Sequence, residues 1–126
     1  MTQEEKQLLI IDLCGRLPYG VMVEIVLNHE IFDLSKYLHC LPAALENFKP
    51  YLRPMSSMTE EEYNSMSWEG CNHVINYSVK HGFQFVEITS FTIEILNWLN
   101  ANHFDYRGLI EKGLGIEASE GMYKNE

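Results

Sequence analysis

The residues best suited to chemistry are the cysteines and histidines, whose spacing offers two candidate metal-ligating pairs. His39 and Cys40 are adjacent, and Cys71 lies two positions before His73. Two thiolates and two imidazoles together would suit tetrahedral zinc. However, adjacent side chains on a strand point to opposite faces, and residues two apart on a helix diverge by about 200°. We therefore expect no metal and no cofactor, and we expect Cys40 and Cys71 to pack as small core residues.

The other nucleophiles and carboxylates form no catalytic constellation. A cysteine nucleophile needs a base and a field that favours the thiolate, whereas Cys14 lies among leucines near the predicted end of a helix. The consecutive acids Glu60, Glu61 and Glu62 suit the first turn of a helix, where they stabilise the helix dipole. The chain also lacks a glycine-rich phosphate loop, a nucleophile elbow and a paired-histidine zinc helix. The sequence therefore predicts no catalytic residue.

Net charge argues against two classes of partner. The 126 residues include 18 acidic and 9 basic side chains, which leaves a formal charge of −9 and a pI near 4.9. Nucleic-acid binders and membrane-surface proteins instead depend on Lys and Arg. The longest aliphatic run, residues 8–11, is far shorter than a membrane span of about 20 residues. With no signal-peptide pattern and an odd number of cysteines, we expect a cytoplasmic protein that binds neither nucleic acid nor membrane.

Helical periodicity and capping residues predict three to four helices. Thr2 and Glu5 have the spacing of a capping box, and Asp105 suits the cap of a short final helix. Gly70 leaves open whether the second predicted helix is one helix or two. The predicted helices cover residues 2–15, 59–81, 90–102 and 105–112.

A change of period predicts strands between these helices. Val21, Val23 and Ile25 alternate with other residues in a β-branched pattern that is typical of a half-buried strand. We expect a hairpin over residues 20–38 and a short strand over residues 83–88. Within this region, residues 32–45 fit either a strand or a helix.

Together these elements predict an α+β fold in which a small antiparallel sheet packs against the helices. No linker, repeat or low-complexity tract divides the chain, so we expect a single domain over residues 1–116. Residues 117–126 are polar, and we expect them to fray as a C-terminal tail.

Two blocks carry a resemblance to a known family. Residues 49–62 read KPYLRPMSSMTEEE, and residues 98–114 read WLNANHFDYRGLIEKGL. Together with residues 13–21, these blocks resemble a family of small uncharacterised proteins from gut anaerobic bacteria, their phages and mobile elements. The resemblance covers about a third of the chain and leaves residues 24–46 and 63–95 without a counterpart.

The resemblance implies a setting rather than an activity. The family has no established activity, so it offers no catalytic residues to transfer to this chain. It implies the cytoplasm of a bacterium or of a phage-infected cell, and an accessory role. The shared blocks contain turn and cap residues, so they suggest a common frame on which the other segments form a variable binding face.

These observations favour a non-enzymatic accessory protein that acts through protein–protein contact or self-association. Aromatic residues, Met and Arg are enriched at the cores of interfaces. The candidate interaction surface on this basis consists of Tyr51, Arg53, Met55, Met58, Tyr106 and Arg107. One alternative is an acidic inhibitor that imitates nucleic acid. A second alternative is an enzyme or small-ligand binder of unrecognised type.

Overall fold

The computed structural model describes residues 2–35 and 47–123, which form an α+β fold as the sequence predicts. The α-helices are α1 (Gln3–Arg16), α2 (Glu60–Asn64) and α3 (Ile93–Ala101). The strands are β1 (Met22–Ile25), β2 (Ile31–Asp33), β3 (Phe48–Leu52), β4 (Asn72–Ser78), β5 (Gly82–Ser90) and β6 (Ile116–Glu117). Short 3₁₀ turns lie at Leu17–Tyr19 and Met55–Ser57.

Helix α1 begins with the predicted capping box. The Thr2 hydroxyl accepts a hydrogen bond from the Glu5 amide at 3.1 Å, and the Glu5 carboxylate accepts one from the Thr2 amide at 2.9 Å. The helix passes through Gly15, the last residue of the predicted helix over 2–15, and ends at Arg16. A Cβ at Gly15 would lie 3.2 Å from the Asn100 side chain of α3. Gly15 therefore serves close helix packing rather than termination.

A four-stranded sheet has the order β2-β1-β3-β6. Strand β1 pairs antiparallel with β2 and β3, whereas β6 pairs parallel with β3. The predicted hairpin over residues 20–38 is present as β1 and β2, but β2 ends at Asp33. The sheet is mixed rather than antiparallel, and the predicted strand over 83–88 is not part of it. Of the ambiguous segment 32–45, residues 36–45 lie outside the described residues.

The predicted helix over residues 59–81 is wrong for most of its length. Helix α2 covers only Glu60–Asn64, and the chain then turns through Gly70 at a φ of 82°, which a right-handed helix does not allow. Residues 72–78 instead form β4, which pairs antiparallel with β5 in a separate two-stranded sheet. Pairing with β5 satisfies the backbone groups on one edge of β4 and places the β-branched Val74 and Ile75 in a strand, which suits them better than a helix.

The predicted helix over 90–102 is present but shorter, and the predicted helix over 105–112 is absent. Helix α3 begins at Ile93 with Thr92 as its cap, because the chain up to Ser90 belongs to β5. Residues 105–112 form successive turns instead of a helix. Asp105 does act as a cap, since its carboxylate accepts hydrogen bonds from the amides of Leu109 and Ile110 at 2.8 and 3.0 Å. Gly108 lies between Asp105 and Leu109, and its φ of 71° prevents these residues from forming a continuous helix.

Two clusters of buried apolar side chains hold these elements together. The first joins α1, β1 and β3, and its buried members are Leu9, Leu13, Val21, Val23, Leu34, Phe48, Leu52, Leu109 and Leu114. The second lies between α3 and the β4–β5 hairpin, and its buried members are Met58, Trp68, Phe85, Ile95, Leu99 and Phe104.

The described part of the C-terminal segment makes hydrogen bonds to the strands β1 and β3. The Ala118 amide donates to the Leu52 carbonyl at 2.8 Å, which extends the pairing of β6. The Tyr123 hydroxyl donates to the Tyr51 carbonyl at 2.6 Å and accepts from the Met22 amide at 2.9 Å. Ala118 and Tyr123 therefore attach this segment to the strands, while Glu117 and residues 119–121 are exposed.

Candidate functional site

Three residues of the predicted interaction surface are taken up by packing. Met58 is buried in the second cluster, and Met55 packs against the same cluster. Tyr51 is buried on β3, and its hydroxyl donates to the Glu24 carboxylate at 3.1 Å. Burial and then the Glu24 carboxylate raise the pKa of Tyr51. These side chains stabilise the fold and present little surface to a partner.

Arg53 is the predicted residue that reaches a cleft. Its two terminal nitrogens donate to the two carboxylate oxygens of Glu62, both at 2.7 Å, and its guanidinium lies 4.2 Å above the centre of the Phe104 ring. Burial opposes ionisation of Glu62, but Arg53 and the Thr59 amide lower the pKa of Glu62 below its ordinary value. Arg53 is therefore a fixed cation in a bidentate pair.

Tyr106 and Arg107 lie beside α1, where they serve an internal network. Arg107 donates to the buried Asp12 carboxylate at 2.8 Å, and its guanidinium lies 4.8 Å from the centre of the Tyr106 ring. The Tyr106 hydroxyl donates to the Asn100 side chain at 2.6 Å. Neither residue lines the cleft that Arg53 lines. The structure thus separates the predicted surface into two places.

The cleft beside Arg53 has a volume of about 720 Å³. One wall is the segment from Pro54 to Glu62, and the other is residues 117–121. A smaller cavity of about 320 Å³ adjoins it and shares Arg53, Asn102 and Tyr123. The larger cleft has the size of a small-ligand site.

His103 lines the smaller cavity and has an unusual environment. The residue is 5% exposed, has a φ of 62°, and stacks on the Tyr123 ring with the ring centres 3.7 Å apart. Burial, followed by the nearby Arg16 and Arg53 cations, lowers the pKa of His103 to about 4. The imidazole is therefore neutral at pH 7. Its Nδ1 atom and the Nη1 atom of Arg16 are buried without a hydrogen-bond partner in the described part of the chain.

The β4–β5 hairpin presents a different kind of surface. Its inner face packs on the second cluster through an aromatic group in which the Tyr63 and Trp68 rings stack at 5.0 Å. The Tyr63 hydroxyl also lies 2.6 Å from His73 Nε2. On the outer face, Val74 and Val86 are 44% and 45% exposed. The inner face of the hairpin is thus packed against the second cluster, and the outer face is exposed to solvent.

The two edges of this hairpin differ. Strand β5 contains two β-bulges, at Val86 and at Thr89. At each of them, β5 has one extra residue relative to β4. Strand β5 also contacts the Met55–Ser57 turn. Within residues 2–35 and 47–123, the backbone of β4 hydrogen-bonds only to β5. The outer edge of β4 is therefore regular, and no strand in the described part of the chain pairs with it.

The cysteine and histidine pairs do not assemble. No group of three or more His, Cys, Asp or Glu in the described parts of the chain is arranged to hold a metal ion. Cys71 packs against the second cluster, and Cys14 is exposed. His39 and Cys40 lie outside the described residues. A search of the described helices likewise finds none long and apolar enough to cross a membrane.

Comparison with known proteins gives no match to a protein family, a curated protein or a solved structure. Function must therefore be argued from the geometry of this chain alone.

Sequence reasoning missed two features of the structure, the outer edge of β4 and the buried His103. The edge of β4 was hidden because Tyr63, Val74 and Tyr77 also fit a helical spacing. The alternation of His73, Ile75 and Tyr77 with polar or exposed residues was the signal that could have revealed a strand. His103 carried no such signal, because its burial depends on Arg16 and Tyr123, which are distant in sequence.

Proposed function

We propose that this chain is a non-enzymatic accessory protein that acts through protein–protein contact, as one α+β domain in the cytoplasm of a bacterium or of a phage-infected cell. The observation that carries the proposal is the outer edge of β4, with which none of the described strands pairs. The contact surface is that edge together with the exposed Val74 and Tyr77.

An unpaired strand is a template for another strand, and proteins normally protect such edges with charged residues, proline or bulges. Strand β4 has the sequence NHVINYS, which contains no Asp, Glu, Lys, Arg or Pro. Both bulges lie on β5, so they do not protect β4. An edge of seven regular residues without these devices supports a role in contact with an extended segment.

Strand addition is the recognition mode that fits this edge. In that mode, main-chain hydrogen bonds supply affinity, and alternate side chains supply specificity. The exposed side chains of Val74 and Asn76 would contact the partner on the outer face. The inner face would stay packed on the aromatic group around Tyr63 and Trp68.

A photo-crosslinking amino acid at position 74 tests the proposal in cells that express the full chain. We expect protein adducts, with the captured peptide identified by mass spectrometry as an extended segment. The same crosslinker at Asn97, an exposed position on α3, is the matched control. Adducts at position 74 that are no more abundant than those at position 97 would contradict the proposal.

Small-ligand binding is a second candidate, which the cleft of about 720 Å³ beside Arg53 favours. Its polar lining includes Glu62, Asn102 and Glu117, which could orient a ligand. An NMR screen with water-soluble fragments tests it. We expect chemical-shift changes at Arg53, Asn102 and Tyr123, and a screen without changes there would remove this candidate.

The acidic-inhibitor alternative has less support. A nucleic-acid mimic needs carboxylates free to meet a basic partner. Glu5 and Asp105 instead cap local turns, and Glu62 pairs with Arg53. These charges already have structural roles.

A further inference from the structure

We infer that the partner of β4 is a second copy of this chain, paired antiparallel edge to edge about a two-fold axis at Ile75. This inference rests on the proposed function and names the partner of the same surface. The two hairpins would join into one four-stranded sheet with the order β5-β4-β4′-β5′. Such an interface is isologous, because the same edge is used by both copies.

The charge of β4 and its hairpin allows a second copy to approach at this edge without local repulsion. Two copies that each carry a charge of −9 repel one another. The hairpin from Asn72 to Ser90 contains one lysine, Lys80, and one acid, Glu87, so its formal charge is zero. Strand β4 itself carries no formal charge. Contact through β4 thus places an uncharged strand of each copy at the interface.

The register follows from the length of the strand. Ile75 is the central residue of Asn72–Ser78, so a two-fold axis there overlaps all seven residues. Val74 then lies opposite Asn76 of the second copy, and Ile75 lies opposite Ile75 of the second copy. In an antiparallel sheet, a two-fold axis can pass through a hydrogen-bonded or a non-hydrogen-bonded residue pair, so either geometry allows the axis at Ile75. No pair in this register places like charges opposite one another.

Side-chain exposure supports the same edge. Val74, on the outer face, is 44% exposed, and Tyr77, which alternation places on the same face as His73 and Ile75, is 65% exposed. The Tyr77 hydroxyl donates to Glu60, which fixes the ring beside the strand. Pairing would remove part of this apolar surface from water. A single strand pair buries little area, so we expect a weak dimer whose population depends on concentration.

Paired charge variants at Val74 and Asn76 test the partner and the register together. The positions are exposed, and they face each other across the proposed axis. In V74E/N76E and in V74K/N76K every such pair is like-charged, whereas in V74K/N76E every pair is oppositely charged. Dimerisation is measured for each full-length variant by sedimentation velocity up to millimolar concentration, with circular dichroism and urea unfolding as checks of folding.

We expect the unmodified protein and V74K/N76E to dimerise with similar Kd. We expect V74E/N76E and V74K/N76K, each alone, to show a Kd raised by about tenfold or more. An equimolar mixture of the two like-charged variants should form a heterodimer, because every pair across the axis becomes oppositely charged. This mixture is the decisive arm, since it also controls for Val74→Glu facing Glu87 across the hairpin.

A chain that stays monomeric at all concentrations, or a mixture that fails to form the heterodimer, would overturn the second-copy inference. The proposed function would survive that result if the crosslinker at position 74 captured a different protein. If position 74 captured nothing beyond the Asn97 control, the proposed function itself would fail. The two failures are therefore distinguishable.

Discussion

A fully buried guanidinium connects the two clusters of apolar side chains. Arg16, on α1, donates through Nε to the Asp12 carboxylate at 2.8 Å and through Nη2 to the carbonyl of Phe104. Phe104 belongs to the second cluster, whereas α1 contributes to the first. Asp12 is also fully buried and accepts a further hydrogen bond from Arg107. Arg16 and Asp12 thus form a buried polar link between the two clusters.

Asp12→Asn should therefore be strongly destabilising. The substitution leaves the buried Arg16 charge without its carboxylate, and breaking a buried pair on one side costs about 3–5 kcal/mol. We expect a decrease of that size in the free energy of unfolding, measured with urea at pH 7. The control is Glu111→Gln at an exposed position, which should change stability by less than about 0.5 kcal/mol. Equal effects of the two substitutions would contradict a structural role for Asp12.

His103 should make stability depend on pH. Its pKa is about 4 in the folded chain, against an ordinary value of 6.5, so between these values the unfolded chain binds more protons. The contribution of His103 is therefore complete above pH 6.5 and is lost as the pH falls toward 4. His103→Asn removes the titration and tolerates the φ of 62°.

We expect the unmodified protein to lose on the order of 1–2 kcal/mol more stability than His103→Asn when the pH falls from 7 to 5. Urea unfolding at both pH values measures the difference, and carboxylate titrations common to both proteins cancel. Parallel losses in the two proteins would show that His103 is not held neutral by its surroundings.

At the scale of elements, the five-residue helix α2 depends on its cap. The Thr59 hydroxyl accepts from the Glu62 amide at 3.1 Å, and the Glu62 carboxylate accepts from the Thr59 amide at 3.0 Å. Thr59→Ala should lower the free energy of unfolding by about 1 kcal/mol, because a short helix has few other hydrogen bonds. Thr59→Ser keeps the hydroxyl and should stay close to the unmodified protein in the same urea titration. Identical effects of Ala and Ser would mean that the cap contributes nothing.

The sequence predicts those elements whose signals are local. The capping box at Thr2 lies within four consecutive residues, and the structure contains it as predicted. The β1–β2 hairpin was predictable because alternation and a polar turn occur in one short segment. These features depend on neighbours that the sequence places side by side.

Prediction fails where distant pairing decides between two local patterns. Residues 72–78 fit a helix by spacing, and only their pairing with β5 selects the strand. The parallel pairing of β6 with Tyr51 and Leu52 joins segments more than 60 residues apart, which no local pattern reveals. Arg53 could be chosen as a candidate from the residues next to it in sequence. The cleft that it lines could not be predicted, because distant segments form its walls. The other wall of that cleft is residues 117–121.

At the scale of the whole molecule, the net charge of −9 should govern self-association. Two such copies repel each other over a long distance at low ionic strength, because the Debye length is about 30 Å at 0.01 M salt. At a salt concentration of about 0.3 M, the same repulsion is screened to a short range. The proposed contact at β4 uses hydrogen bonds and apolar side chains, which sodium chloride at these concentrations affects little. Raising the salt should therefore strengthen the dimer, with Kd lowered by about three- to tenfold.

Sedimentation velocity in about 10 mM and about 300 mM sodium chloride measures this response. The control is Glu4→Gln with Glu111→Gln, which makes each copy less negative by two charges at exposed positions away from β4. It should dimerise more tightly than the unmodified protein at low salt and respond less to added salt. A dimer that weakens as salt is added would instead be held by attraction between opposite charges. In that case the acidic surface, rather than the neutral edge of β4, would form the contact.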